Sequence, residues 1–207
     1  MVLLGTDPPK VTDMVNLTRI YTRTGDDGTT ALGDMSRVGK NDVRLVAYAD
    51  VDEANAAIGV VVATEGIASG LGELLTGIQN DLFDVGADLC TPLVADPAYP
   101  QLRVEQAYVD RLEAACDSYN ELLEPLRSFV LPGGTSVAAR LHVARTVVRR
   151  AERSTWTALA AYPDSMNPLT ATYLNRLSDL LFICSRVANL PANGGEGDVL
   201  WKPGGER

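Results

Sequence analysis

The chain has 207 residues, of which 46% are hydrophobic and 22% are charged, and its formal net charge is -9 at pH 7. These values are typical of one soluble globular domain that can bury its own core without a metal or disulfide staple. The acidic balance argues against general nucleic-acid binding, although a local arginine cluster can still bind an anionic substrate.

The cysteine and histidine content limits the kinds of site. Cys90, Cys116 and Cys184 are odd in number and far apart, so we interpret them as reduced residues of a cytoplasmic protein. A single histidine, His142, argues against a histidine-based metal centre, and we interpret it as a structural or interface residue. There is no signal-peptide pattern and no run of about 18 apolar residues, so we expect no membrane association.

The N-terminal region contains a segment typical of phosphate binding. Residues 1–16 predict a disordered leader, and residues 18–21 predict a short extended piece. The segment 22–30 then combines two glycines, four threonines, Arg23, Asp26 and Asp27. Glycine-rich backbone exposes N–H donors, threonine hydroxyls add further donors, and either aspartate could hold a hydrated Mg²⁺ beside a phosphate. It is not a P-loop, since no Gly-Lys-Ser/Thr follows, and an acidic surface turn remains the alternative.

Five amphipathic stretches predict the fold class. Apolar residues recur at spacings of three and four in each stretch, which is typical of a helix with one buried face. Joined by short loops, such helices predict an all-α bundle. The predicted helices cover residues 42–63, 71–89, 104–123, 136–162 and 170–189, and the glycine-rich segment 191–207 predicts a loop-like tail.

The fourth helix carries an unusual set of charges. Arg145, Arg149 and Glu152 lie on one helical face beside the apolar stripe, with Arg150 and Arg153 nearby. This pattern fits an anion site, and a solvated face stabilised by ion pairs is the alternative.

Polar residues also line parts of the first and fifth helices. Asp52 lies on a stripe that would need a cationic partner if it packed against protein, and Arg145 is the obvious candidate. Asn175 would either bind a sugar or phosphate, or form a polar contact between helices.

Six segments, taken in order, resemble the PduO-type ATP:cob(I)alamin adenosyltransferases. The resemblance covers about residues 18–189, and the combination is far more specific than any single motif. Its segments are 21–28 (YTRTGDDG), 51–55 (VDEAN), 79–86 (QNDLFDVG), 129–134 (FVLPGG), 141–153 (LHVARTVVRRAER) and 174–182 (LNRLSDLLF).

The resemblance implies a cobalamin adenosyltransferase-like five-helix bundle over residues 17–190, with an N-terminal ATP loop at 21–40. It implies a homotrimer with active sites between subunits. The substrates would be ATP, with Mg²⁺, and a corrinoid whose Co(I) attacks the 5′ carbon of the ribose and expels triphosphate. A corrinoid reductase and an adenosylcobalamin-dependent mutase are the implied partners.

The resemblance also assigns residues. It implies that Asp52 and Arg145 form an intersubunit ion pair, and that Phe129 and Phe182 contact the corrinoid. Phe129 would displace the lower axial base, which makes reduction to Co(I) easier. Arg149 belongs to the implied catalytic set with Phe129, Asp52 and Arg145. The implied ATP contacts are Thr22, Arg23, Thr24, Gly25, Thr30, Lys40, Arg149, Arg150, Glu152, Arg153 and Asn175.

One departure and two alternatives accompany this assignment. Asp27 stands where some relatives carry a lysine, which makes the loop less positive. A non-catalytic escort that delivers adenosylcobalamin to a mutase is the main alternative function, although the intact loop and Arg149 argue against a pure escort. A structural trimeric bundle without ligand is the other.

Overall fold

The structure, a computed structural model, describes residues 21–97 and 99–206, so the predicted leader and most of the predicted extended piece lie outside the described residues. The described part contains five α-helices and very little strand, which confirms the all-α bundle. The helices are α1 Val43–Val62, α2 Ser69–Cys90, α3 Gln106–Asn120, α4 Ser136–Ala161 and α5 Leu169–Ala188.

A small hairpin precedes the bundle. Strands β1 (Thr29–Ala31) and β2 (Arg37–Gly39) pair antiparallel, with Thr29 opposite Gly39. The backbone N–H of Gly33 donates to the carbonyl of Cys90 at 2.9 Å, which anchors the hairpin to the C-terminal end of α2. The sequence did not predict this hairpin, because strands of three residues are too short to show an alternating pattern.

Helix α4 lies at the centre of the fold and packs against both α1 and α5. The apolar stripes predicted for these three helices are buried, because residues three and four apart share one helical face. The buried positions are Ala47, Val51, Ala54, Ile58 and Val61 on α1, Val137, Leu141, Ala144, Val148, Ala151 and Thr155 on α4, and Leu174, Leu177, Leu181, Cys184 and Ala188 on α5.

The predictions for α2 and α3 need correction. The apolar spacing predicts that Leu74 lies on the buried face of α2, but Leu74 is only partly buried and its neighbour Leu75 is fully buried. The apolar spacing places Leu122 on the buried face of α3, but α3 ends at Asn120, so Leu122 lies beyond the helix and is exposed. Only Val109 and Leu112 of α3 are buried, because this helix lies at the edge of the bundle and packs mainly on α5.

Buried polar contacts fix how the helices meet. Asp42 caps α1 by accepting from the N–H of Arg44 at 2.8 Å, and its other oxygen accepts from the Tyr162 hydroxyl at 2.6 Å. The start of α1 therefore lies at the end of α4, so the two helices run antiparallel. The Arg44 guanidinium is buried and donates to the carbonyls of Leu89 and Ser165.

The end of α5 organises the tail and the connector, which is the segment 129–135 that leads into α4. The Asn189 side chain is buried; its Oδ1 accepts from the Thr135 N–H at 2.9 Å and its Nδ2 donates to the Gly133 carbonyl at 3.2 Å. Its own carbonyl accepts from the Gly197 N–H at 2.8 Å. Gly134 has a φ of 100°, and a Cβ there would lie 2.1 Å from Asn189 Oδ1, so no larger residue fits. Asn189 thus joins the segment before α4 to the tail after α5.

The tail is mostly irregular but is packed on the body. A short 3₁₀ helix covers Pro191–Asn193, and Leu200 forms an antiparallel bridge with Val130 of the connector. Residues 129–134 are not helical. Within the described ranges, no helix has the length and apolar character needed to cross a membrane.

Candidate active site

The segment 22–30 forms a loop held by its own hydrogen bonds. Thr22 and Thr24 hydroxyl oxygens are 2.9 Å apart. Asp27 accepts from both the backbone N–H and the hydroxyl of Thr29, at 3.0 and 2.7 Å. Arg37 of β2 donates to the Thr24 carbonyl at 2.7 Å, which ties the loop to the hairpin. The hydrogen bonds from Thr29 lower the pKa of Asp27, so this carboxyl is ionised at neutral pH.

The cationic residues of the loop lie close to its glycines. A Cβ built on Gly25 would be 3.2 Å from Lys40 Nζ, so the ammonium lies over the backbone at this glycine. Arg23 has a φ of 63°, in the left-handed region that non-glycine residues rarely adopt. Backbone in such conformations clusters at ligand sites. The predicted loop residues Thr22, Arg23, Thr24, Gly25 and Lys40 are therefore brought together.

The predicted ATP contacts on α4 divide into two groups. Arg150 is engaged within the chain, because it forms ion pairs with Glu53 and with Asp50, the latter at 3.5 Å. The hydrogen bond to Glu53 raises the pKa of Arg150. Arg149 and Arg153 are exposed, and neither forms an ion pair with any described residue. The charge that is free to meet an anion is therefore that of Arg149 and Arg153.

Glu152 and Asn175 link α4 to α5. Asn175 Nδ2 donates to Glu152 Oε1 at 3.1 Å. This is the interhelical contact that the sequence left as an alternative to ligand binding. Among the described residues, no hydrogen bond or ion pair joins Glu152, Asn175, Arg149 or Arg153 to the N-terminal loop, so the two parts of the predicted ATP site are not directly linked within one chain.

Arg145 lies in an aromatic cluster and forms no ion pair with any described residue. Its guanidinium carbon is 5.9 Å from the centre of the Phe182 ring, and the His142 ring lies 6.2 Å from the same ring in an edge-to-face arrangement. Arg145 Nε is buried and has no hydrogen-bond partner among the described residues. Burial and the nearby Arg149 lower the pKa of Arg145. The cluster therefore contains an uncompensated cation beside one predicted corrinoid contact.

Asp52 lies on a different surface. It is exposed on α1, in a groove of about 330 Å³ that also includes Tyr48 and Phe83. Phe83 is 71% exposed, which is unusual for a large aromatic residue. Burial and the charge of Asp52 raise the pKa of Tyr48. No ion pair joins Asp52 to Arg145 or to any other described residue, so their pairing between subunits stays a prediction.

Phe129 projects from the connector beside the tail. It is 78% exposed, and its ring lies 6.0 Å from the Trp201 ring in an edge-to-face arrangement. A groove of about 860 Å³ runs between the two segments, with Leu126, Phe129, Leu200 and Trp201 in its walls. An exposed aromatic groove of this size fits a large, flat, partly apolar ligand.

The comparisons with known proteins agree with these features. Residues 20–188 match the family model described as cobalamin adenosyltransferase. The chain belongs to the cobalamin adenosyltransferase family. The match ends at the last residue of α5, so the packed tail lies beyond it.

Several relatives carry the family's activity in their names. The corrinoid adenosyltransferase of Mycobacterium tuberculosis strain H37Rv is 64% identical over 193 residues, covering 93% of this chain and 97% of the relative. That of Bacillus subtilis is 39% identical over 185 residues, covering 87% and 91%. Among solved structures, a variant PduO-type ATP:corrinoid adenosyltransferase from Lactobacillus reuteri, complexed with cobalamin and ATP, superposes with a TM-score of 0.80. It is 35% identical, with 89% of this chain and 100% of that chain covered.

The sequence did not predict three features of the candidate site. Arg37 organises the loop, but its role depends on a hairpin that the sequence did not predict. The groove beside Tyr48 and Phe83 was only weakly indicated in the sequence, by an aromatic residue on the polar side of α2. The role of Trp201 was indicated more clearly, because it is a large aromatic residue in a glycine-rich segment.

His142 provides a test of the aromatic cluster through pH. Burial and Arg145 lower the pKa of His142 below its ordinary value of 6.5, and Asp198 opposes the shift in part. The unfolded chain therefore binds a proton below about pH 6.5 that the folded chain does not bind. Because of this difference, the free energy of unfolding falls as the pH decreases. We expect His142→Gln to lose less stability than the wild type between pH 7 and pH 5, as measured by urea unfolding. Equal losses would mean that folding does not lower the pKa of His142.

Proposed function

We infer that this protein transfers the 5′-deoxyadenosyl group of ATP to the Co(I) ion of a corrinoid. The observation that carries this inference is the likeness, over nearly the whole helical bundle, to a PduO-type enzyme described as complexed with cobalamin and ATP. The loop of N–H and hydroxyl donors, the free arginines of α4 and the exposed aromatic groove fit these two substrates.

The reaction sets a clear task for the protein. The electron pair of Co(I) attacks C5′ of the ribose, a cobalt–carbon bond forms, and the C5′–O bond breaks with its electrons passing to the leaving triphosphate. The corrinoid supplies the nucleophile, so the protein positions both substrates and stabilises the negative charge that develops on triphosphate. We assign the triphosphate to the loop residues Thr22, Arg23, Thr24, Gly25 and Lys40, and to Arg149 and Arg153 of α4.

We propose that Mg²⁺ accompanies ATP. Mg²⁺ usually binds through one or two carboxylates, phosphate oxygens and water. Asp26 and Asp27 supply carboxylates beside the loop, and the hydrogen bonds that Asp27 accepts occupy only one of its oxygens. Within the described ranges, no group of three potential metal ligands forms a site on its own, which fits an ion that arrives with its nucleotide.

We propose a homotrimer with active sites between neighbouring subunits. Arg145 is a partly buried cation without a partner, and Asp52 is a carboxylate without a partner on another face of the same chain. Pairing them across an interface would satisfy both, and would place the Asp52 groove of one subunit beside the Phe182 cluster of the next. The same arrangement would bring a loop from one subunit to the arginines of its neighbour.

We also propose that the protein acts in the cytoplasm, together with a corrinoid reductase and an adenosylcobalamin-dependent mutase. Its three cysteines are free thiols in the structure, which fits a reducing cytoplasm. Because the substrate is Co(I), an electron donor of the corrinoid reductase class must act first. A mutase that uses adenosylcobalamin would consume the product.

The decisive experiment is an anaerobic assay with Mg-ATP and chemically reduced cobalamin. We expect the absorbance of a cobalt–carbon bond to appear, with one triphosphate released for each bond formed. A protein that binds adenosylcobalamin but produces none would be an escort instead. A protein that binds neither ATP nor corrinoid would contradict both functions.

Phe129 gives a prediction about the metal's coordination. It is exposed on a connector that Pro132 and the Asn189 amide hold rigid, so its ring can exclude water or the axial base from one face of cobalt. We expect Phe129→Ala to remove the spectral signature of four-coordinate Co(II) and to leave the Kd for ATP near that of the wild type. Trp156→Ala, which removes an exposed aromatic residue from α4, is the control. A wild-type cobalt spectrum in the Phe129 variant would remove this residue from the mechanism.

A further inference from the structure

The tail residues 198–202 lie against the connector as a short extended segment. The Leu131 N–H donates to the Val199 carbonyl at 2.7 Å, and the Trp201 N–H donates to the Phe129 carbonyl at 2.8 Å. The Ser128 hydroxyl donates to the Trp201 carbonyl at 3.0 Å. Because backbone bonds surround Phe129, the tail fixes both the path of the connector and the position of the Trp201 ring.

A buried ion pair connects this segment to the bundle. Arg186, in the last turn of α5, donates from Nε to Asp198 Oδ2 at 2.8 Å. The two side chains are only 9% and 14% exposed. Arg186 also donates from Nη2 to the Glu124 carbonyl at 2.8 Å, so the same guanidinium holds the segment that leads into the connector. Arg186 therefore holds both the tail and the segment before the connector, which lead to the two sides of the aromatic groove.

The ion pair also adjoins the aromatic cluster. Burial and Arg145 lower the pKa of His142, and the charge of Asp198 offsets part of this shift. The His142 ring packs against Phe182, so the tail carboxylate lies close to this cluster. Asp198 Oδ1 is buried and has no partner among the described residues. The tail thus extends from the surroundings of Phe182 to Trp201 and Phe129, along the surface that the proposed function assigns to the corrinoid.

We propose that Arg186 and Asp198 form a latch that positions Trp201 and Phe129 for the transfer reaction. The proposal rests on the proposed function. Neither residue touches the reacting atoms: the ion pair keeps the tail against the connector, and the tail keeps the two rings edge to face. When the latch opens, the rings separate, and water or an axial base reaches the cobalt face that Phe129 covers. The latch is therefore a positioning device, and ATP binding does not depend on it.

The first test reports the tail without any substrate. Trp156→Phe leaves Trp201 as the only tryptophan, so its fluorescence reports the tail directly. In this background we expect Asp198→Ala to shift the emission to longer wavelength and to increase quenching by acrylamide, and Asp198→Asn to have a smaller effect. Glu113→Gln, which breaks the Arg176–Glu113 ion pair at the α3–α5 contact, is the matched control and should leave both signals unchanged. Unchanged fluorescence in Asp198→Ala would overturn the latch.

The second test reports the consequence for cobalt. Displacing reacting groups by about 1 Å costs roughly 10²-fold in rate, so we expect Asp198→Ala to lower kcat by roughly 10–100-fold with the KM for ATP unchanged. The fraction of four-coordinate Co(II) should fall in parallel. Arg186→Lys keeps the charge but not the fork that reaches both Asp198 and Glu124, so it should give an intermediate result.

The two tests separate the latch from the proposed function. If the tail is released but the cobalt spectrum and kcat stay those of the wild type, the positioning role is wrong. If the wild type transfers no adenosyl group, the proposed function fails, while Trp201 fluorescence still decides whether the ion pair holds the tail. Asp198 lies outside the helices, and an unchanged far-ultraviolet circular dichroism spectrum would show that Asp198→Ala leaves them formed.

Discussion

Asp52→Asn and Arg145→Ala should each remove most of the adenosyl transfer, and the double variant should be little worse than either one. Removing one partner of a buried ion pair typically costs about 3–5 kcal/mol, because the other charge is left unpaired. In one chain Arg145 already lacks a partner, so Arg145→Ala should leave the stability of the isolated subunit unchanged or higher. The loss should appear instead in assembly and in activity.

A double-mutant cycle on activity and on oligomer size measures this directly. Sedimentation should show a weaker oligomer in both single variants, and the coupling energy should be a large part of either single loss. Asp117→Asn removes an exposed carboxylate of α3 and is the control for net charge. Exchanging the charges, as Asp52→Arg with Arg145→Asp, should restore assembly better than activity, because arginine and aspartate differ in reach. Strictly additive losses would show that the two residues do not meet.

Arg149→Ala should lower kcat by roughly 10²–10³-fold, the usual effect of removing one group that stabilises charge in the transition state. Arg149 is exposed and forms no ion pair with any described residue, so its charge is available to the triphosphate and is not needed by the fold. Arg149→Lys should recover part of the rate, because it keeps the charge but loses the bidentate fork. The thermal midpoint should change little in either variant.

Arg150 differs from Arg149 because it has ion-pair partners within the chain. Arg150 is the next residue on α4, but its guanidinium is held by Asp50 and Glu53 of α1. We expect Arg150→Ala to lower the thermal midpoint, whereas Arg149→Ala should not. If Arg149→Ala kept the wild-type kcat under anaerobic single-turnover conditions, the assignment of the triphosphate to this face of α4 would be wrong.

Local periodicity explains what the sequence could predict. The stripes on α1, α4 and α5 are buried as predicted, because each of these helices packs along its length and a buried face repeats every three or four residues. Helix α3 lies at the edge of the bundle, so its apolar residues need not all face inward, and the predicted Leu122 lies past its end. The hairpin at 29–39 is too short to leave a pattern.

The parts of the site that were not predicted depend on contacts distant in sequence. Arg37 holds Thr24 across a turn, and Arg186 holds Asp198 and Glu124 at once, and neither spacing follows a helical or strand period. Arg149 and Arg150 are adjacent and chemically identical in the sequence. Only the position of α1 decides that the second is engaged within the chain. The roles assigned to the loop, to Phe182 and to the Asp52–Arg145 pair stay predictions, because they require ligands or a second subunit.

The buried Asn189 amide has a consequence for motion. The Asn189 side chain binds the Gly133 carbonyl and the Thr135 N–H, and the Asn189 backbone carbonyl accepts from the Gly197 N–H, so all three are joined to the end of α5. The connector and the tail that Asn189 anchors are also joined by the Leu131–Val199 and Trp201–Phe129 backbone bonds. Backbone groups joined in this way open together, so the amide protons of Leu131, Thr135, Gly197 and Trp201 should exchange with solvent deuterium at similar rates. Fraying at the C-terminal end of α5 would then set how often the aromatic groove opens. Corrinoid entry and product release would therefore be limited by the same opening rate.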